Sequence, residues 1–234
     1  MLTTEEYFKS LLQKDFNRDD ILDLSKVNFD PHQFIELINK SEKFEIIHSH
    51  DGPISVVLEE NEKQIGDFSK MSTDFGKHID GLYKENPPQF VILYCENEGL
   101  GEATTNFYDS KFIASILKAC CKADNLIMNY IGRDSKIYPQ KFIRQHPITK
   151  NDVIMIASRG FIQQDPKSDL SKIANLKELN EVLTLTNAIP PTCSITLKKY
   201  DLVLFDNYSF PHSRQSKVTD TKRKLYRIWF NALA

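Results

Sequence analysis

Lys77-His78-Ile79-Asp80-Gly81-Leu82, then Pro87-Pro88, then Gln89-Phe90-Val91-Ile92-Leu93-Tyr94-Cys95-Glu96 is the stretch on which the fold reading turns. The pattern predicts a short strand over 77–82, a break at the proline pair, and a buried strand over 89–96. Gly76, Gly81 and the two prolines argue against a helix here. On a strand, positions i and i+2 share a face, so His78 and Asp80 project to one point in space. On a helix they would diverge by about 200°.

Outward from this stretch, helices come first and strands follow. Thr4–Lys14 carries Tyr7, Phe8, Leu11 and Leu12 on one stripe behind a Thr3 or Thr4 cap. Pro31–Lys40 opens with proline in the first turn and places Phe34, Ile35, Leu37 and Ile38 as apolar positions. Strand-like runs occupy 44–48 and 54–58, and the polar stretch 59–73 is expected as a loop over a site entrance. Asp109 is expected to cap a helix through Phe112, Ile113, Ile116 and Leu117. Further strands are expected at 126–131, 141–144, 153–157, 194–197, 202–205 and 224–230, with a helix at 176–183. The order implies an α+β chain with a mainly β core, a sandwich or barrel with helices packed outside. No repeat or linker divides residues 1–234, which read as one domain.

Bulk composition narrows the function. Hydrophobic residues make up 41% and charged residues 26% of 234, enough for a proper core. A net charge of −2 with no long basic run excludes a polyanion-binding surface, so no nucleic-acid partner is expected. The start Met1-Leu2-Thr3-Thr4-Glu5-Glu6 has no apolar signal core behind it, and the apolar run 90–95 is too short to span a bilayer. A soluble, cytoplasmic protein without a membrane partner is expected. Cys95, Cys120, Cys121 and Cys193 lack paired C-x-x-C spacing and read as reduced thiols, not a zinc site. The sequence does not fix an oligomeric state.

The chemistry lies in histidines and arginines. His-x-Asp by itself carries little, because chance supplies about one match per chain of this composition. A distal His212, beyond the strand over 202–205, completes two imidazoles and a carboxylate. Such a set takes three adjacent corners of an octahedral metal ion and leaves three open. His48 and His50 also share a strand face, but Asp51-Gly52-Pro53 reads as the turn that ends that strand. His32 and His146 flank prolines and read as structural. Arg223 and Arg227 share a strand face with Leu225 and Trp229, and buried guanidinium groups need anions, a carboxylate above all.

Together these segments resemble a family. His78-Ile79-Asp80, Pro87-Pro88 and Thr105-Asn106-Phe107-Tyr108-Asp109 look like the first half of the taurine dioxygenase-like (TauD/TfdA) enzymes. Leu202-Val203-Leu204-Phe205-Asp206-Asn207, His212-Ser213-Arg214 and Arg223-x-x-x-Arg227 look like the second half. Arg223 falls 11 positions after His212 and Thr105 falls 25 after Asp80, as in that family.

The resemblance implies a double-stranded β-helix, a cupin-like jelly roll with flanking helices. It also implies an Fe(II)- and 2-oxoglutarate-dependent dioxygenase that consumes O2 and oxidises a small molecule, with release of succinate and CO2. Carried over, His78, Asp80 and His212 would be the catalytic metal ligands. Thr105 and Arg223 would bind 2-oxoglutarate, and Arg227 would meet a small polar, anionic or amino-acid-like substrate. Asp80 fills the position that halogenating relatives leave small, which favours hydroxylation. A non-redox metalloenzyme on the same ligands and a noncatalytic jelly-roll binding protein are the alternatives. Two departures stand out. The stretch Gly99-Leu100-Gly101-Glu102-Ala103-Thr104-Thr105 lets Thr104 compete with Thr105, and Tyr200 stands where a turn glycine is usual.

Overall fold

Three strands buried on both faces run through the middle of the molecule, and their alternation builds two cores at once. The computed structural model describes residues 1–16, 21–56, 75–99, 101–120, 125–132, 134–158, 160–164, 176–218 and 223–233. In chain order the elements are β1 (Leu2–Thr3), α1 (Thr4–Leu12), β2 (Leu22–Asn28), α2 (Pro31–Asn39), β3 (Phe44–Ile47), β4 (Ile54–Val56) and β5 (Phe75–His78). Then follow β6 (Phe90–Asn97), β7 (Gly101–Phe107), α3 (Ser110–Cys120), β8 (Leu126–Ile131), β9 (Ile137–Lys141), β10 (Ile143–Gln145) and β11 (Asp152–Ile154). The last are β12 (Gly160–Gln164), α4 (Leu176–Ala188), β13 (Cys193–Thr196), β14 (Asp201–Asp206), β15 (His212–Val218) and β16 (Lys224–Ala232).

The large sheet runs β1-β2-β14-β6-β16-β3, with β4 also on β16, and the small sheet runs β13-β7-β15-β5. On the large sheet Phe90, Ile92, Tyr94, Leu202, Leu204, Ile228 and Phe230 face outward. There they pack with Tyr7, Phe8 and Leu11 of α1 and Phe34 and Ile38 of α2. The intervening residues Val91, Leu93, Cys95, Val203, Phe205, Leu225 and Trp229 face inward, where Phe107 of the small sheet meets them. Strands covered on both sides read as continuous apolar runs for this reason. The jelly-roll core with flanking helices is therefore present. A third cluster, built on α3, Met128, Phe142, Ile154 and Val182, extends it.

Local signals place the helix starts, and α1 and α2 end within two residues of expectation, whereas α4 runs to Ala188, five residues beyond its expected end. Thr3 and Glu6 form a capping box at α1, Asp30 caps α2 through the amides of His32 and Gln33, and Asp109 accepts from the Phe112 amide. The tyrosine in the glycine position is tolerated: Tyr200 adopts φ 71°, with its ring partly buried against the outer core. Strands β2, β7 and β15 were not foreseen, because their polar alternation is set by sheet pairing rather than by a hydrophobic run. The entrance loop expected over 59–73 lies outside the described residues.

One expectation needs correction. The strand foreseen over 77–82 ends at His78, and Asp80 lies in the turn that follows. Gly81 makes that turn at φ 75°, and a Cβ there would stand 2.5 Å from Pro88 Cδ. Gly81→Ala is expected to destabilise the protein by about 1–3 kcal/mol, measured by urea denaturation. A variant as stable as the parent would show that the 80–88 turn is not held in this conformation.

Candidate metal centre

β5 and β15 pair antiparallel with His212 directly opposite His78, and the two imidazole centroids lie 4.3 Å apart. Asp80 swings in from the turn beyond β5, with its Oδ1 3.7 Å from His78 Nε2. One donor atom from each of the three residues fits within 4.8 Å of the others, and all three residues are buried. The foreseen triad therefore converges, although His78 and Asp80 do not share a strand.

The donor set suits a divalent cation. Nδ1 of His78 meets the Gly76 carbonyl at 2.9 Å, which makes Nδ1 the protonated nitrogen and leaves the Nε2 lone pair free. Burial, and then the neighbouring His212, push His78 down to about 3, so the ring is neutral at physiological pH. His212 is lowered by burial in the same direction. Its Nδ1 is buried without a well-formed hydrogen bond, the Phe210 carbonyl acting on the ring only weakly. Two neutral imidazoles and an anion form a ligand set that need not shed protons to take a metal.

Asp80 is held as an anion. Burial alone raises its pKa, but the Arg227 guanidinium, the two imidazoles and the Trp229 indole outweigh it and keep the carboxyl below its usual value. Arg227 Nη1 donates to Oδ1 at 2.9 Å, and Trp229 Nε1 donates to Oδ2 at 3.0 Å. Both donors come from β16 of the opposite sheet, where Arg227 pairs with Leu93 and Trp229 with Val91. The foreseen alternation along β16 holds for Leu225, Arg227 and Trp229, whereas Arg223 stands before the strand and its register shift at Lys224 and Leu225. That its arginine and tryptophan grip Asp80 is a tertiary fact with no local signal.

A pocket beside the triad is lined by Phe75, Leu93, Thr105, Arg214, Leu225 and Arg227, along with the two histidines and Ser213. Thr105 faces this pocket, whereas Thr104 points away and pairs its hydroxyl with Thr196 at 3.1 Å. Arg223 lies outside this lining. It is buried with long contacts to the Glu98 and Ala103 carbonyls (3.4 and 3.5 Å), and its Nε has no partner. Arg214, two positions after His212 and paired with Thr105 of β7, lines the pocket, a role that its place in the His212-Ser213-Arg214 motif did not suggest. The remaining histidines stay away from the centre. His50 is exposed and stacks on Tyr83 at 4.0 Å, His32 and His48 are exposed, and His146 is buried against Asp206.

A buried His-Asp-His cluster inside a jelly roll invites comparison with solved proteins. PvcB of Pseudomonas aeruginosa, an Fe, α-ketoglutarate-dependent oxygenase from an isonitrile synthetic pathway, superposes with a TM-score of 0.65 at 16% identity, over 95% of this chain and 78% of that one. A taurine dioxygenase from Burkholderia xenovorans superposes with a TM-score of 0.64 at 14% identity, over 99% and 86%. The fold is that of the taurine dioxygenase-like oxygenases. By sequence, the dioxygenase str8 of Strobilurus tenacellus is 25% identical over 156 residues, 60% of this chain and 35% of that protein, so this chain spans about a third of its relative's length. No family model matches the chain. Within the taurine dioxygenase-like fold the triad occupies the seam between the two sheets. Among the described residues no helix is long and apolar enough to cross a membrane.

Two outcomes follow for the metal-free protein. Arg227→Met leaves the Asp80 charge buried and uncompensated, and is expected to cost about 3–5 kcal/mol in urea denaturation. Combining it with Asp80→Asn should restore part of that loss, whereas strict additivity would mean the two groups do not interact. His78 resists protonation when folded and accepts it when unfolded, so the unfolded chain binds more protons at low pH. Stability should therefore fall as pH is lowered from about 6.5, the unfolded value, toward 3. His78→Gln should shrink that pH slope, and an unchanged slope would contradict the assignment.

Proposed function

We propose that the protein is an Fe(II)- and 2-oxoglutarate-dependent dioxygenase that oxidises a small polar substrate in the cytoplasm. The observation that carries this reading is the buried cluster of His78, Asp80 and His212 at the seam of a jelly roll, two of whose residues also line the adjoining pocket. His78, Asp80 and His212 would hold iron(II) there, and with 2-oxoglutarate it would supply oxygen activation that couples decarboxylation of the co-substrate, to succinate and CO2, with oxidation of a substrate C–H bond.

The residues of the chain divide the remaining work. His78 and His212 offer neutral imidazole nitrogens and Asp80 a carboxylate, which Arg227 and Trp229 keep ionised and oriented. Thr105 and Arg223 would hold the distal carboxylate of 2-oxoglutarate, beside a pocket whose wall includes Leu93 and Leu225. Reaching that carboxylate requires the Arg223 guanidinium to exchange its two long carbonyl contacts for a charge-assisted pair, a favourable trade. Burial disfavours the Arg223 charge, so an incoming anion relieves it.

Arg227 spends one nitrogen on Asp80, and its buried Nε has no hydrogen-bond partner. We assign this remaining capacity to an anionic group of the substrate, such as the carboxylate of an amino acid or a sulfonate. The likeness in fold to a taurine dioxygenase supports an amino-sulfonate or amino-acid class.

Anaerobic addition of Fe(II) and 2-oxoglutarate should give the parent a visible charge-transfer band that His212→Ala loses. A parent without the band, or a variant that keeps it, would overturn the reading. Among free amino acids and sulfonates, at least one should stimulate succinate release. Stimulation confined to uncharged or polymer-linked compounds would refute the role given to Arg227.

A further inference from the structure

Asp80 lies past the end of β5, where its backbone has lost the ladder partners a strand would give it, yet the residue is buried. An asparagine side chain takes the place of the missing strand. Asn207 Oδ1 accepts from the Asp80 amide at 2.9 Å, and Asn207 Nδ2 donates to the Asp80 carbonyl at 3.0 Å. One residue thus exchanges both backbone bonds with one amide group, as opposed residues do in an antiparallel pair. The second Nδ2 proton goes to the Pro88 carbonyl at 2.9 Å, which closes the turn that Gly81 opens. Asn207 is fully buried, and both of its side-chain donors are used.

Asn207 also stands in the turn between β14 and β15, five positions before His212. That turn is itself rigid. Asp206 Oδ1 accepts from the Tyr208 and Ser209 amides (2.9 and 3.1 Å), and Asp206 Oδ2 meets His146 Nε2 at 2.8 Å. The Phe210 amide donates to the Asp206 carbonyl at 2.9 Å, and the Asn207 amide to the Gln89 carbonyl at 2.8 Å. The side chain therefore joins two backbone segments 127 positions apart, each of which ends in a metal-binding residue.

We propose that Asn207 is a positioning residue of the metal centre. It fixes the Asp80 backbone to the turn that presents His212, so the carboxylate and the distal imidazole keep their spacing before any metal arrives. Its bonds are to the Asp80 main chain and leave both carboxylate oxygens to Arg227, Trp229 and the ion. The inference rests on the reading of the triad as an iron site, and the two fail differently.

The test measures Fe(II) affinity anaerobically by competition with a chromophoric chelator, together with the visible spectrum of the Co(II)-loaded protein. Asn207→Ala removes all three bonds. Asn207→Asp keeps the shape but places an acceptor against two carbonyls. Tyr208→Phe is the control, because it cuts the neighbouring 3.0 Å tether to the Pro87 carbonyl and leaves Asp80 alone. Each Asn207 variant is expected to bind Fe(II) roughly 10–100-fold more weakly, the scale for residues that orient ligands, and to shift the Co(II) bands. Tyr208→Phe should change neither.

A folded Asn207 variant with parental affinity and spectrum, or a Tyr208→Phe as impaired as the Asn207 variants, would overturn the positioning role. A parent that binds no Fe(II) would remove the iron reading itself. Should neither Asn207 variant fold, the parent still decides: the Asn207 side-chain amide protons should exchange with solvent as slowly as core strand amides in the metal-free protein. Fast exchange would refute the staple.

Discussion

A carboxylate buried at the seam between two sheets constrains everything around it. Taking the Asp80 charge out of water costs several kcal/mol unless it is paired and hydrogen-bonded. The structure answers with a guanidinium on one oxygen and an indole N–H on the other, both from the sheet opposite the histidines. Compensation from across the seam orients the carboxylate and also ties the two sheets together at the site. The histidines meet the same constraint in the opposite sense, since burial disfavours their cationic form and leaves neutral imidazoles that could serve as ligands.

Period-two alternation lets one set of strands serve structure and site together. Outward residues of β6, β14 and β16 seat the two N-terminal helices, and inward residues fill the barrel. At Leu93, Leu225 and Arg227 the inward row also forms the pocket wall. Above this double layer, side chains drawn from β5, the following turn and β15 meet without a continuous element joining them.

Much of this was legible in the chain. The apolar runs at 89–96 and 202–205, the Thr3 and Asp109 caps, the proline that opens the second helix, and the proline pair gave most of these elements to within a few residues, because these signals are local. The triad was legible through spacing and resemblance. The strand predicted through Leu82 failed because a glycine-made turn and a remote asparagine outcompete strand pairing after His78. Strands β7 and β15 escaped notice because their pairing depends on neighbours far away in sequence.

What the amino-acid sequence determined alone was which residue types stand at which spacing: alternating apolar rows, capped helices, two histidines, one aspartate and two arginines. These are properties of nearest neighbours and periodicity, which the chain carries without folding. Only the tertiary structure decided that Thr105 and not Thr104 faces the pocket, that Arg227 and Trp229 hold Asp80, and that Asn207 replaces a strand. Each of those is a hydrogen bond or a facing set by sheet register between distant segments, and register exists only once the sheets have closed.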